Sequence, residues 1–344
     1  MEKVDLAVVI GRFQPFHRQH LELVKEALVV ADRVIIFIGS ANQPRSEKNP
    51  LTYAERQTII TTSLINAGID IGLVRFSALE DYDTDEEWAG AINGRIPTGL
   101  RTTIVGCHKR GDNSTYYLDL FPQYEYHELQ QRSQLSATIV RNVWYNRTDE
   151  IELLAELQGY VCDLHVARHL VNMRNRDWFK NMRGEKSYIE AERAKLSVYP
   201  YKGSLNVATA DAIIVNQHRE LCFIIRKGYP FKGCLALVGG HKEDNETFLD
   251  CAIREANEET GIVEDMFDVV GIPVIGDNPD RDPVCTKVTV AYTFKFFGEK
   301  NELTAADDAD SIVWIPVSKL SEYKDQIAFD HYEIVQRALV NMNF

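Results

Sequence analysis

Long apolar runs are missing from this chain of 344 residues. None approaches the roughly 20 residues that a membrane-spanning helix requires, and Glu2 and Asp5 ahead of a strand pattern argue against a secretory leader. Paired cysteines are missing as well. Cys107, Cys162, Cys222, Cys234, Cys251 and Cys285 lie far apart with no Cys-x-x-Cys. That fits the reduced thiols of a cytoplasmic protein better than a disulfide scaffold or a thiolate zinc site. A basic surplus is also lacking: 38 Lys and Arg against 51 Asp and Glu leave a net charge of -13. Neither nucleic acid nor a membrane is therefore expected as a partner. A few placed Arg, Lys and His would still suffice for a small phosphorylated ligand. There is no low-complexity tract and no internal repeat, and the length allows two domains, each with its own core.

Residues 4 to 10, "VDLAVVI", read as a fully buried strand. Leu21, Val24 and Leu28 then repeat at helical spacing, and "RVIIFIGSA" (33 to 41) is a second buried strand. Strand, helix, strand is a βαβ unit and implies a parallel sheet, to which "TTIVGC" (102 to 107) adds a later strand. "ATIVRNVWYN" and "DEIELLAELQGYVCDLHVARHL" read as helices closing this first domain. The charged, weakly periodic stretch from Asn175 to Gly203 reads as the joint, with a boundary near residue 185 and domains over 1–185 and 186–344. Beyond it, "DAIIV", a polar turn and "LCFIIRK" signal a β-hairpin. One amphipathic helix (246 to 260) and strands such as "KVTVAYTFKF" follow, giving an α+β domain.

Between the first strand and the first helix lies "GRFQPFHRQH". In a parallel sheet, ligands bind beyond the carboxyl ends of strands, where helix N-termini aim their N–H groups. His17 and His20, at i and i+3, share one face of the first helical turn and can both donate to a phosphate chain. Arg12 adds a permanently charged, planar donor set. Gly11 lets a ligand approach the backbone, and Pro15 fixes the turn into the helix. The bland alternative is a pair of satisfied surface or capping histidines; Gly and Pro at this spacing weigh against it.

The stretch resembles the GxFxPxHxxH signature of the nucleotidyltransferases, in the form found in archaeal-type nicotinamide-mononucleotide (NMN) adenylyltransferases. "GSANQPRSEKNPLTYAERQTII", "GCHKRGDNSTYYLDLFPQYE" and "LSATIVR" resemble further landmarks of that family, in order, over residues 4 to 145. One departure is Gln19, where the family has Gly. The resemblance implies a Rossmann-like domain that joins the 5'-phosphate of NMN to the α-phosphorus of ATP and expels pyrophosphate, with magnesium accompanying the ATP. It implies catalytic roles for His17, His20 and Arg141. ATP and its phosphates would be held by Gly11, Arg12, Phe13, Ser40, Lys109, Ser136 and Thr138, and the nicotinamide ring would stack on Trp88. A core tryptophan is the alternative for Trp88.

A second constellation spans residues 239 to 262, "GGHKEDNETFLDCAIREANEETGI". Glu255, Glu258 and Glu259, at i, i+3 and i+4, put three carboxylates on one helical face. These repel one another until a hard divalent cation, Mg2+ or Mn2+, takes them as ligands. Arg254 is placed to orient the cluster, Glu246 to pair with it, Gly261 to end the helix, and Gly239 and Gly240 to let the preceding loop fold against it. A solvated acidic face is the ordinary reading of a Glu-rich helix. The spacing from Gly240 resembles the Nudix box, GX5EX7REUXEEXGU, at every fixed position, which makes that reading poor. The resemblance implies metal-dependent cleavage of a nucleoside diphosphate linked to another group. "NPDRDP", "DDADSIVWIP" and "IAFDHYEIV" resemble ADP-ribose pyrophosphatases of that superfamily. The general base is not readable.

The order of the halves resembles the bifunctional NMN adenylyltransferase/ADP-ribose pyrophosphatases. The expected ligands are ATP, NMN, NAD and ADP-ribose; a homo-oligomer is compatible with the resemblance, and no interface is readable. Three alternatives stay open at this level. The Nudix half could be a non-catalytic ligand sensor, or could act on another nucleoside diphosphate derivative. The first half could transfer a nucleotide to another phosphate ester.

Overall fold

Two sheets organise the chain, one in each of two units, Met1–Lys180 and Asn181–Phe344. The computed structural model describes residues 2–82, 84–107, 119–129, 135–161, 163–198, 206–306 and 309–342. Among the described residues no helix is long and apolar enough to cross a membrane.

In the first unit β1 (Val4–Gly11), β2 (Ala31–Ile38), β3 (Val74–Ala78), β4 (Thr102–Gly106) and β5 (Glu125–Glu128) form an all-parallel sheet in the order β3-β2-β1-β4-β5. The central β1 is covered on both faces, which is why Ala7, Val8 and Val9 form an unbroken apolar run with no exposed surface. Helix α1 (Arg18–Val30) crosses from β1 to β2 and turns Leu21, Val24 and Ala27 into the core. Helices α2 (Tyr53–Asn66) and α3 (Asp85–Asn93) precede β3 and β4. The start of α2 is fixed by a capping box: Glu55 N–H donates to Thr52 Oγ1 at 3.3 Å, and Thr52 N–H donates to the Glu55 carboxylate at 2.8 Å. Three further helices, α4 (Ala137–Asn146), α5 (Glu150–Tyr160) and α6 (Leu164–Met173), complete the unit. The fully buried Trp144 ties α4 to α6 by donating from Nε1 to Leu170 O at 2.8 Å. Because the strand order reverses between β1 and β4, their connections leave in opposite directions and open a crevice beyond the strands' carboxyl ends.

The stretch read as a weakly periodic joint is largely a helix, α7 (Asp177–Ser197), and the division between units falls inside it at Lys180/Asn181. Apolar periodicity gave no signal there, but Lys, Glu, Arg and Ala are good helix formers in any order. Their charges also pair along the helix, as in Lys186–Glu190 at 2.6 Å.

The second unit carries β6 (Val207–Asn216), β7 (Glu220–Arg226), β8 (Leu235–Ala236), β9 (Val238–His241), α8 (Phe248–Thr260), β10 (Phe267–Gly276), β11 (Lys287–Phe296), β12 (Ala309–Pro316) and α9 (His331–Asn341). The sheet runs β10-β11-β6-β7-β12, with β8 on β7 and β9 on β6. Ten residue pairs join β6 and β11 in parallel, while the other pairings are antiparallel. The hairpin is β6–β7, and Asn216 shapes its turn by accepting from the N–H groups of His218 and Glu220 at 3.0 and 2.9 Å. Alternation along β6 serves two cores. Ala210, Ala212 and Ile214 pack with Cys251, Ala252 and Ala256 of α8, while Ile213 and Val215 pack with Ile334, Val335 and Ala338 of α9. A parallel α/β sheet and a mixed-sheet α+β unit are the fold classes expected from the sequence.

Candidate functional site

A cavity of about 770 Å³ occupies the crevice of the first unit. Its wall includes Gly11, Arg12, Phe13, His17 and His20 after β1, Gly39 and Ser40 after β2, and Cys107 after β4, with Ser136, Thr138 and Arg141 from α4. Trp88 and Gln19 also face it. Of the residues singled out in this half, Lys109 alone lies outside the described residues.

Each side chain has a local reason for its place. His17 is the extended residue preceding α1, 3% exposed, and its N–H donates to His20 Nδ1 at 3.3 Å. A backbone N–H only donates, so Nδ1 is the accepting nitrogen of His20 and its ring proton sits on Nε2. The two imidazoles stack with centroids 3.6 Å apart, and the Phe13 ring meets His20 edge-on at 4.9 Å. Gly11 serves this packing: a Cβ there would meet the Phe13 ring at 2.9 Å. Gly11 thus has no room for a Cβ beside Phe13, while it stays on the cavity wall.

Arg141 donates from Nη1 to Gln14 O at 2.8 Å and from Nη2 to Thr138 Oγ1 at 3.2 Å. Burial is the main cause that lowers its pKa, and the like charge of Arg12 acts in the same direction. Ser136 caps α4, accepting from Ile139 N–H at 3.4 Å, so the positive end of that helix faces the cavity. Trp88 is half-buried on α3, with one side toward Phe121 at 6.0 Å and the other on the cavity wall beside Asp81, Tyr82 and Asp85. Gln14 went unnoticed in the sequence and carries no signal in composition or spacing: it exchanges two hydrogen bonds with the backbone of Leu51, at 2.9 and 3.0 Å. Arg56, in the Glu-Arg pair of the stretch flagged by resemblance, lies buried behind the wall.

In the second unit β9 brings Gly239 and Gly240 against α8. A Cβ on Gly240 would stand 2.3 Å from Glu255 Oε1, and one on Gly239 would stand 2.4 Å from Ala210 O. Gly239 N–H donates to Glu259 Oε2 at 3.0 Å, and Glu259 is only 5% exposed. Gly261 ends α8 in the left-handed region at φ 74°. Arg254 is the hub. It donates to both oxygens of Glu246 at 3.0 and 2.8 Å, to Glu255 and Glu258 at 2.9 Å each, and to His241 O at 3.0 Å. Arg254's hydrogen bonds hold the Glu246 carboxyl down at about pKa 2, and those carboxylates raise the Arg254 pKa. Burial raises the Glu255 pKa, Arg254 opposes the rise, and Glu258 and Glu246 add to it. On the opposite face of the sheet, Asp211 accepts from Thr289 Oγ1 at 2.6 Å and Arg281 grips both oxygens of Asp330. Arg281 lies within the "NPDRDP" stretch flagged by resemblance, whereas Asp211 gave no signal.

A Cytidylyltransferase-like family matches residues 8–75, and the NUDIX domain family matches residues 205–338. A nicotinamide/nicotinic acid mononucleotide adenylyltransferase of Acinetobacter baylyi is 36% identical over 150 residues, 42% of this chain and 78% of that protein. An ADP-ribose pyrophosphatase of Methanocaldococcus jannaschii is 32% identical over 151 residues, 44% of this chain and 84% of that protein. The crystal structure of a bifunctional NMN adenylyltransferase/ADP ribose pyrophosphatase from Francisella tularensis superimposes with a TM-score of 0.85 at 28% identity, covering 98% of both chains. This chain belongs to the bifunctional adenylyltransferase/pyrophosphatase family. A second structure of the Francisella protein, at TM-score 0.84 and 27% identity, holds AMP and a manganese ion.

Among the described residues of this family member, no three His, Cys, Asp or Glu side chains converge as a ligand group. The three glutamates read as metal ligands are no exception, and the reason is local. Arg254 takes one oxygen each of Glu255 and Glu258, and the Gly239 N–H takes one of Glu259. The donor set nevertheless fits a hard divalent cation. Glu255 and Glu258 each give a single oxygen to Arg254, so each carboxylate keeps a second oxygen of the hard donor type that Mg2+ and Mn2+ take.

Proposed function

We propose that the cavity of the first unit joins NMN to ATP and that the glutamate helix of the second hydrolyses ADP-ribose. The observation that carries the reading is the convergence of two histidines, two arginines and the start of α4 on one crevice, with an aromatic face in the same cavity. That set suits a phosphate chain and a flat cationic ring.

In the first reaction an oxygen of the NMN 5'-phosphate attacks the α-phosphorus of ATP. The bond from that phosphorus to the bridging oxygen breaks, and pyrophosphate leaves with the electron pair. No protein nucleophile is required, so the residues act by positioning and by offsetting charge. His20 donates through Nε2 to the phosphate chain and His17 stands beside it. Arg12 and Arg141 offset charge on the phosphates, Ser136 and Thr138 present the start of α4 to them, and Ser40 and Lys109 complete the ATP site. Trp88 stacks on the pyridinium, worth on the order of 1 kcal/mol or more.

In the second reaction the oxygen of a water adds to one phosphorus of the ADP-ribose pyrophosphate and the bridging P–O bond breaks, giving AMP and ribose 5-phosphate. Glu255, Glu258 and Glu259 would hold magnesium or manganese. When bound, the cation polarises the pyrophosphate and lowers the pKa of a ligated water. Arg254 and Glu246 hold the glutamates in register, and Gly239 and Gly240 keep the loop close. The free thiols among the described residues suit action in the cytoplasm.

Product analysis by chromatography tests both halves. The protein is incubated with magnesium and, separately, with NMN plus ATP, ADP-ribose, NAD, NADH and a diadenosine polyphosphate. NAD from the first tube and AMP chiefly from ADP-ribose are expected. Cleavage of none of these compounds, with NAD synthesis intact, would replace the hydrolase with a ligand sensor.

A further inference from the structure

Arg56 is 1% exposed and lies in the first turn of α2. It is not part of the cavity wall, yet its guanidinium reaches the backbone of both loops that form it. Nη1 donates to Arg12 O at 2.7 Å and to Gly39 O at 2.5 Å, Nη2 donates to Ser40 O at 3.0 Å, and Nε donates to Thr52 O at 3.3 Å. All four acceptors are carbonyls, so no carboxylate neutralises it at contact distance. The carbonyls it holds flank two strained residues. Phe13 has φ 53° and Ser40 has φ 47°, left-handed values that side chains other than glycine adopt only when something holds them. Phe13 carries the ring that packs on Gly11 and His20, and Ser40 Oγ donates to Asp81 Oδ1 at 3.0 Å. Both turns therefore set cavity-lining groups.

We infer that Arg56 is a positioning residue for the phosphate site: it pins the left-handed turns at Phe13 and Ser40 and sets a permanent positive charge behind the phosphates without touching them. The inference rests on the reading of this cavity as the ATP site. Its charge survives burial, which lowers the Arg56 pKa only to about 10. The carboxylate of Asp81 opposes that shift and the like charge of Arg12 adds to it. Lysine keeps the charge but offers a point donor instead of a planar fork, so it cannot hold three diverging carbonyls.

The test compares the full-length protein with Arg56→Lys, Ser40→Gly and the double variant. It uses calorimetric binding of inorganic tripolyphosphate with magnesium, the KM for ATP and kcat of NAD synthesis, and the melting of the first unit. Glycine adopts the Ser40 conformation without strain. Arg56→Lys should bind tripolyphosphate at least tenfold more weakly and raise the KM for ATP, and adding Ser40→Gly, which relieves backbone strain but removes a hydroxyl of the ATP site, should restore part of the melting and not the binding. If Arg56→Lys does not fold, the double variant is compared with Ser40→Gly, and at least tenfold weaker binding is again expected. Binding within twofold of the parent by a folded variant overturns the inference. So does failure of both variants to fold, which would make Arg56 a packing residue. A wild-type chain that neither binds tripolyphosphate nor makes NAD overturns the reading of the cavity as well.

Discussion

Glu259 separates charge from architecture. Its Oε2 accepts the Gly239 N–H, and the amide oxygen of glutamine accepts equally well. Glu259→Gln should therefore leave the melting of the second unit nearly unchanged while metal-dependent ADP-ribose hydrolysis falls by roughly 100-fold or more; undiminished turnover would remove Glu259 from the metal site. Trp88→Ala removes a stacking face worth on the order of 1 kcal/mol, so the KM for NMN should rise by about fivefold or more and that for ATP far less. An equal rise for both would make Trp88 structural. His331 supplies a pH dependence of stability. It is buried, accepts from Leu237 N–H at 3.0 Å, and burial holds its pKa down at about 4. Asp211 opposes that shift, while Arg281 and Arg226 add to it. Between about pH 4 and 6.5 the unfolded chain binds this proton and the folded unit does not. Stability is thus fully present above about pH 6.5 and declines as pH falls toward 4. Asparagine can offer its Oδ1 in place of Nδ1. His331→Asn should flatten the acid limb of urea-unfolding free energy against pH by up to one proton, and an unaltered slope would assign that limb to other groups.

At the scale of elements, two adjacent glycines should fail in different ways. The Cβ of Gly239→Ala would strike the carbonyl of Ala210, which belongs to a paired strand and cannot yield. A loss of about 1–3 kcal/mol in unfolding free energy is expected. The atoms nearest to the Cβ of Gly240→Ala are those of the Glu255 carboxylate, the movable end of a side chain. Hydrolysis should fall there with little change in melting; equal destabilisation by both would refute the distinction. What the sequence revealed of these elements follows the same physics. The buried run of β1 and the i, i+3, i+4 glutamates of α8 are periodic signals of local structure, and both were legible. Helix α7 was not, because its stability comes from propensity and charge pairing rather than an apolar stripe. Asp211 was not, and Arg56 was legible as a landmark but not in its role, because their partners come from segments distant in sequence. Gly11 lines the cavity, and the sequence did not reveal that the ring of Phe13, two residues on, fills the direction a Cβ there would take. That depends on the positive φ of a phenylalanine, which no sequence rule anticipates.

For the whole molecule, the two sites share no residue, so each should fail alone. His17→Ala with His20→Ala should abolish NAD synthesis from NMN and ATP while ADP-ribose hydrolysis persists, and Glu259→Gln should do the reverse. Loss of both activities in either variant would show that the sites are coupled. One further consequence concerns how the chain is made. Strands β6 and β11 pair along their full lengths although the partners are about 80 residues apart, as in Val207 with Lys287. At a synthesis rate of about 5–20 residues per second, β6 waits several seconds for that neighbour to emerge. Strands β7 and β9 arrive sooner and can occupy its other edge. In chain order the hairpin then precedes the parallel strand, and β12 follows to pair with β7. A ribosome stalled before β11 would leave β6 with one bare edge of unpaired N–H and C=O groups, a template for a neighbouring nascent chain.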